Sequence, residues 1–74
     1  MIDVEEFLEV IRKVLGRDDI TEETQIKDVE EWDSLKHLQI IMEIEDRFKV
    51  RIPLEKVGEI SSVKDLYDIT VDLL

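Results

Sequence analysis

The chain has 74 residues, of which 43% are hydrophobic and 41% are charged, which predicts one small folded domain over residues 1–74. Twenty acidic residues against ten basic ones give a net charge of −10, which disfavours nucleic acids and anionic membranes as partners. The absence of cysteine excludes disulfides and cysteine-based zinc sites. Because no segment is apolar enough to span a membrane and the N-terminus lacks the pattern of a secretion signal, we expect a cytoplasmic protein.

The first predicted helix covers residues 3 to 15, where six apolar residues recur at helical spacing. Asp3 and Glu6 fit a capping pattern at its start, and Gly16 fits its end. Residues 17 to 33 show no sustained period and carry eight acidic residues against two basic ones. A loop of this length in a small domain needs anchoring, so we expect its apolar residues to pin it to the core. These are Ile20, Ile26, Val29 and Trp32.

The second predicted helix runs from Ser34 to Phe48, with Asp33 as its N-cap. A short third helix is predicted from Pro53, which suits a first helical turn, to Val57, and Gly58 follows it. No sustained strand-like alternation is present. The pattern therefore predicts an all-α fold, a small bundle of three main helices and one short helix.

The last of these main helices is predicted to begin at the capping-box pattern of Ser62 and Asp65. Its predicted apolar positions are Val63, Leu66, Tyr67, Ile69 and Leu73.

The apolar residues of the second helix fall into two sets at 100° per residue. The first set, which suits the core, is Ile40, Ile41, Ile44 and Phe48. The second set, on a neighbouring face, is Leu35, Leu38 and Met42. A surface helix needs an apolar stripe only ~100° wide. Periodicity leaves open whether the second set is an exposed docking surface rimmed by charge or a further part of the core.

The residues at the start of the second helix allow two kinds of chemistry. The N-terminus of a helix favours a phosphate group, and Ser34 presents its hydroxyl there. Asp33, Ser34 and His37 could also meet on one helix face as a hydrolase triad, but one small bundle offers little room for an oxyanion hole and a substrate cleft. We therefore expect no catalytic residue, and a packed or half-exposed structural role for His37. The scattered carboxylates lack calcium-loop spacing, so no metal site is expected.

The segment from Trp32 to Phe48, WDSLKHLQIIMEIEDRF, resembles the acyl carrier proteins, in which the serine of a D-S-L motif carries 4′-phosphopantetheine. Two further segments are similar to family motifs in the same order. They are FKVRIP, which begins at Phe48, and ISSVKDL, which begins at Ile60. The resemblance implies an acyl-carrier-protein-like bundle that is not an enzyme. It implies acyl or aminoacyl thioesters on a phosphopantetheine arm attached to Ser34, with Asp33 in a supporting role.

The resemblance also implies that the second helix is the recognition helix for partner enzymes. The expected contact residues are Leu35, Lys36, Leu38, Met42, Glu43 and Asp46. The expected partners are a phosphopantetheinyl transferase that uses coenzyme A, an acyl- or aminoacyl-loading ligase or transferase, and downstream biosynthetic enzymes. The carrier itself is expected to be a monomer.

Two departures from the fatty-acid-synthesis members point to a specialised biosynthetic pathway. Lys36 and Gln39 stand where those members usually have acids. Trp32 before the aspartate is similar to specialised stand-alone carriers, including D-alanyl carriers and those of natural-product or polysaccharide pathways. The alternative function is an unmodified acidic interaction module that docks through Leu35, Leu38 and Met42.

Overall fold

A computed structural model describes residues 2–74, which form four α-helices and one short 3₁₀ turn. The helices are α1 (Val4–Leu15), α2 (Ser34–Phe48), α3 (Leu54–Val57) and α4 (Val63–Asp72), and the 3₁₀ turn is Ile26–Asp28. Over residues 2–74 the chain forms no strand, and its β-structure is one isolated antiparallel bridge between Gln25 and Ser62. The all-α prediction is confirmed, and α2 has the predicted bounds.

Both ends of α1 carry the predicted capping residues, Asp3 at the start and Gly16 at the end, but one predicted capping contact differs. The Asp3 carboxylate accepts a hydrogen bond from the N–H of Glu5 at 3.0 Å. Gly16 adopts the left-handed conformation, with φ of 70°, which favours a residue without a Cβ atom. Glu6, the second member of the predicted capping pattern, instead forms an ion pair with Arg47 of α2 at 3.0 Å. Its carboxylate therefore joins two helices.

The core lies among α1, α2 and α4. Its largest fully buried side chains include Phe7 and Ile11 of α1, Ile40 and Ile44 of α2, and Leu66 of α4. The Phe7 ring packs edge-to-face on Tyr67 with centroids 5.1 Å apart. Such a pair adds about 0.5–1.5 kcal/mol beyond the area that it buries.

The predicted apolar face of α4 needs one correction. Leu73 is 38% exposed, because α4 ends at Asp72 and the chain leaves the core there. Thr70 is fully buried instead. Its hydroxyl donates to the carbonyl oxygen of Leu66 at 2.7 Å, so its polar atom is satisfied inside the core.

The loop of residues 17–33 is anchored by its apolar residues, as predicted. Ile20, Val29 and Trp32 are buried, and Ile26 is half-buried against the core. Two arginines add polar anchors. Arg12 of α1 donates twice to the carbonyl oxygen of Ile20, at 3.1 and 2.8 Å. Arg17 pairs with Asp19 and, at 3.0 Å, with Glu31 near the far end of the loop.

These contacts change the titration of the loop acids. The Arg17 guanidinium holds the pKa of the Asp19 carboxyl below its ordinary value. The pKa of Glu31 is also lowered, first by a hydrogen bond from its own backbone N–H and then by Arg17. Arg17 therefore offsets part of the repulsion among the loop acids.

Candidate functional site

Ser34 is the first residue of α2, and the residue before it caps the helix. The Asp33 carboxylate accepts the N–H of Lys36 at 2.8 Å, and the Asp33 carbonyl accepts the N–H of His37 at 2.8 Å. The N–H groups of Ser34 and Leu35 have no acceptor among residues 2–74. Unpaired N–H groups at the positive end of the helix dipole suit a phosphate attached to the Ser34 side chain, which is exposed.

The hydroxyl of Ser34 differs from the other hydroxyls of the chain in making no hydrogen bond to any described residue. The chain has three serines. The Ser61 hydroxyl donates to the Asp65 carboxylate at 2.9 Å, and the Ser62 hydroxyl accepts the N–H of Asp65 at 3.1 Å. The threonine and tyrosine hydroxyls are also engaged within the chain. Ser34 is therefore the serine whose hydroxyl is both exposed and unengaged.

An open groove of about 600 Å³ lies beside Ser34, between the start of α2, the loop and α3. Its polar lining residues are Asp33, Ser34 and His37. Its other lining residues are Ile26, Trp32, Leu38, Val57, Gly58 and Ile60. The groove was not predicted from the sequence, because its walls come from three separate segments.

His37 lines this groove, and both of its ring nitrogens are engaged. The Trp32 indole N–H donates to Nδ1 at 2.9 Å, and Nε2 lies 2.9 Å from the carbonyl oxygen of Val57. An indole N–H can only donate, so Nδ1 is the acceptor and the ring hydrogen is on Nε2, which donates to Val57. His37 is half-buried and neutral in this arrangement, which confirms the expected structural role.

These bonds show that the hydrolase geometry is not assembled. Neither ring nitrogen of His37 is directed to Ser34, and the Asp33 carboxylate is engaged with the backbone of Lys36. The three side chains lie within one turn but form no proton relay. In the part of the chain that the structure describes, no group of three or more His, Cys, Asp or Glu residues is arranged to hold a metal ion.

The second apolar set of α2 is exposed. Leu35 and Met42 are each 65% exposed and Leu38 is 49% exposed, whereas Ile40 and Ile44 are fully buried. Periodicity had left both arrangements open, and the structure selects the exposed one. Sequence reasoning missed one further exposed residue, Leu54 of α3, at 85% exposure. The only signal for it was the position of an apolar residue in a helix too short to bury a full face.

The predicted contact residues differ in how free their charges are. Glu43 and Asp46 are exposed on α2 and form no ion pair with any of residues 2–74. Lys36 is half-buried, and its ammonium donates to the carbonyl oxygen of Val14 at 3.4 Å. That carbonyl belongs to the last turn of α1, where helical partners run out. Part of the role of Lys36 is therefore within the fold.

Comparison with known proteins gives a consistent result. The family model described as a phosphopantetheine attachment site matches residues 5–69. The chain is 34% identical to an acyl carrier protein of Rubrobacter xylanophilus, over 96% of this chain and 95% of that protein. It is 39% identical to a probable acyl carrier protein of Caulobacter vibrioides, over 82% of this chain and 72% of that protein.

Solved structures agree with these relatives. The solution structure of the holo acyl carrier protein from Geobacter metallireducens has a TM-score of 0.85 at 28% identity, with 99% of this chain and 86% of that chain covered. The crystal structure of an acyl carrier protein from Thermotoga maritima has a TM-score of 0.79 at 32% identity, with 95% and 84% covered.

The helical bundle and the matched attachment site define a phosphopantetheine carrier domain. The chain belongs to the acyl carrier protein family. Proteins of this family carry a 4′-phosphopantetheine group and act as carriers rather than catalysts. This favours the carrier function over an unmodified interaction module. None of the helices within residues 2–74 has the length and apolar character needed to cross a membrane.

Proposed function

We propose that Ser34 carries the phosphopantetheine arm, and that residues 1–74 act as a single carrier domain for acyl or aminoacyl thioesters in a specialised biosynthetic pathway. The observation that carries the proposal is the exposed, unengaged hydroxyl of Ser34 at a helix terminus that suits a phosphate. Trp32 before the aspartate, together with Lys36 and Gln39, supports a specialised pathway rather than fatty-acid synthesis.

In the attachment reaction the carrier supplies only the nucleophilic serine hydroxyl and the helix terminus around it. The Ser34 Oγ forms a bond to the phosphorus that joins pantetheine to the nucleotide in coenzyme A. The bond from that phosphorus to the nucleotide phosphate breaks, the nucleotide leaves, and the serine proton passes to a base of the transferase. Asp33 supports the site because it caps α2 through Lys36 and leaves the serine hydroxyl unengaged. When bound, the arm supplies the thiol that a chain without cysteine lacks.

We further propose that partner enzymes dock on the exposed face of α2 next to Ser34. The apolar part of this face is Leu35, Leu38 and Met42, and its charged rim is Lys36, Glu43 and Asp46. An apolar patch rimmed by charge is typical of interaction sites. The partners are a phosphopantetheinyl transferase, an acyl- or aminoacyl-loading ligase or transferase, and the downstream enzymes. The carrier is proposed to act as a monomer in the cytoplasm.

The attachment site is tested by incubating the apo protein with a broad-specificity transferase and coenzyme A. We expect the intact mass to rise by one phosphopantetheinyl group, and peptide mapping to place that group on Ser34. Ser34→Ala should remove the modification and change the stability by less than about 0.5 kcal/mol, because the helix cap is on Asp33. Ser61→Ala is the matched control and should be modified like the wild type. Label on Ser61 or Ser62 would overturn the assignment.

A further inference from the structure

A chain of two hydrogen bonds beside Ser34 joins three separate elements of the fold. The indole N–H of Trp32 donates to Nδ1 of His37, and Nε2–H of His37 donates to the carbonyl oxygen of Val57, each at 2.9 Å. Trp32 lies two residues before Ser34, His37 lies on the first turn of α2, and Val57 is the last residue of α3. All three residues line the groove next to Ser34.

The contact with Val57 adds a polar tie at the end of α3, whose other anchors are the buried Ile52 and Ile60 on either side of it. The helix has four residues, none of them buried, and its N-cap residue Pro53 makes no side-chain capping bond. A single turn of helix is not stable on its own in water. The bond from His37 therefore adds to the packing of Val57 on the core and helps to position one wall of the groove. The Trp32 bond fixes the ring of His37 in the orientation that this contact needs.

This arrangement exists only with a neutral imidazole. Protonation places a second N–H on the ring at Nδ1, where it faces the indole N–H of Trp32, and two donors cannot bond to each other. Trp32 is only 6% exposed, so protonation would leave its buried N–H without the hydrogen-bond partner that it has in the neutral form. Imidazole is the side chain that ordinarily changes its charge between about pH 5 and about pH 8.

Other charged groups lie on the segments around His37. The charged side chains within residues 26–38 and 54–60, the segments that line the groove, are Lys27, Asp28, Glu30, Glu31, Asp33, Lys36, Glu55, Lys56 and Glu59. Asp33 is the one of these that lines the groove. Carboxylates in model peptides ordinarily titrate at about pH 4, and lysine amines at about pH 10. A change between neutral and mildly acidic pH therefore reports on the imidazole.

We propose that His37 is a positioning residue for the attachment site: in its neutral form it ties the segment before Ser34 to the end of α3, and its protonation releases that wall of the groove and slows modification of the serine. The inference rests on Ser34 being the attachment serine. Its spectroscopic part can be tested without that assumption.

The first test uses the apo wild-type protein, which contains one tryptophan and one histidine, so the indole and imidazole signals are each unique. In ¹⁵N NMR spectra recorded from about pH 8 to about pH 5, we expect the Nε2–H tautomer at the alkaline end. We expect the indole N–H signal to shift with the same midpoint as the imidazole nitrogens. An Nδ1–H tautomer, or an indole signal that stays unchanged while the imidazole titrates, would overturn the proposal.

The second test compares the wild type with Trp32→Phe, which keeps an aromatic ring but removes the indole N–H. The ratio of their transferase rates, measured across the same pH range, cancels the pH dependence of the transferase itself. We expect the wild type to be faster by about fivefold at the alkaline end, the factor that corresponds to one hydrogen bond of typical net strength. We expect the two rates to converge at the acidic end.

The outcomes separate the two proposals. A rate ratio that is constant across the pH range overturns the role of His37 and leaves Ser34 in place. No modification of Ser34 at any pH overturns the proposed function, whereas the NMR titration still decides whether the hydrogen-bonded chain responds to protonation. If Trp32→Phe fails to fold, the wild-type titration decides alone.

Discussion

Two side chains in the same turn of α2 allow its buried and exposed faces to be compared directly. Ile44 is fully buried, whereas Met42 is mostly exposed. Ile44→Ala removes buried atoms and leaves a cavity, which typically costs ~2–5 kcal/mol. Met42→Ala removes atoms that are already in water and should cost less than ~0.5 kcal/mol. A domain of this size has a total stability of only ~4–11 kcal/mol, so the first loss is a large fraction of it.

The difference should be plain in a thermal or urea unfolding experiment. For a chain of this length each kcal/mol shifts the melting temperature by ~4–8 °C, so Ile44→Ala should lower it by at least about 8 °C. Met42→Ala should stay close to the wild type, with an unchanged slope of stability against urea. If Met42→Ala destabilises the protein as much as Ile44→Ala, the assignment of α2 to a core face and an exposed face is wrong.

The same position tests the docking face. Met42→Glu should slow transfer of the phosphopantetheine arm or loading of the cargo while the melting temperature changes little, because the new charge faces solvent and disturbs only the apolar contact with a partner. Met42→Leu, which keeps an apolar side chain of similar size, is the matched control. An unchanged rate for Met42→Glu with every partner would remove the support for docking on this face.

Three further predictions concern charge. Arg17→Gln should lower the melting temperature and make the loop of residues 17–33 easier to cleave by protease, because the tie to Asp19 and Glu31 is lost; equal cleavage of both proteins would contradict this. The pKa of Asp65 is lowered, first by the backbone N–H of Ser61 and then by its hydroxyl. The ionised Asp65 therefore stabilises the fold, fully above the ordinary carboxyl pKa of about 3.9, and this stabilisation is lost as the pH falls through the lower pKa of the folded state. Asp65→Asn should therefore make the free energy of unfolding fall less steeply as the pH is lowered. Six of the twenty acids lie in ion pairs within residues 2–74, so sodium chloride should raise the melting temperature by screening the rest, and a falling melting temperature would show that the ion pairs dominate.

The sequence predicted best where local and periodic signals agreed. The bounds of α2 follow from a strong cap at Asp33 and an apolar period that is sustained to Phe48, and the structure has the same bounds. Predictions that depended on one pattern alone were less accurate. The apolar period placed Leu73 in the core, but the helix ends one residue earlier. Glu6 fitted a local cap, but an arginine on another helix competes for its carboxylate.

The groove and the hydrogen bonds of His37 could not be predicted in the same way. The acceptor of Nε2–H is the backbone carbonyl of Val57, twenty residues away in the chain, and a carbonyl has no side-chain signature. The available signal was the coincidence of the only tryptophan and the only histidine around the start of one helix. That coincidence indicates a contact only once the fold brings α3 against the same turn.

The net charge of −10 does not describe how charge is distributed over the fold. It overstates the repulsion among the acids of the loop and does not show how acids on α2 could attract a basic partner. In the loop, Arg17 joins acids from both ends, so the local charge is partly neutralised within the fold. On α2, Glu43 and Asp46 have no ion pair among the described residues, and Lys36 directs its ammonium to the end of α1. Two of the acids outside these ion pairs, Glu43 and Asp46, therefore lie on the same helix as the exposed Leu35 and Met42. A basic rim on a partner can meet them there without breaking any contact that holds the fold together.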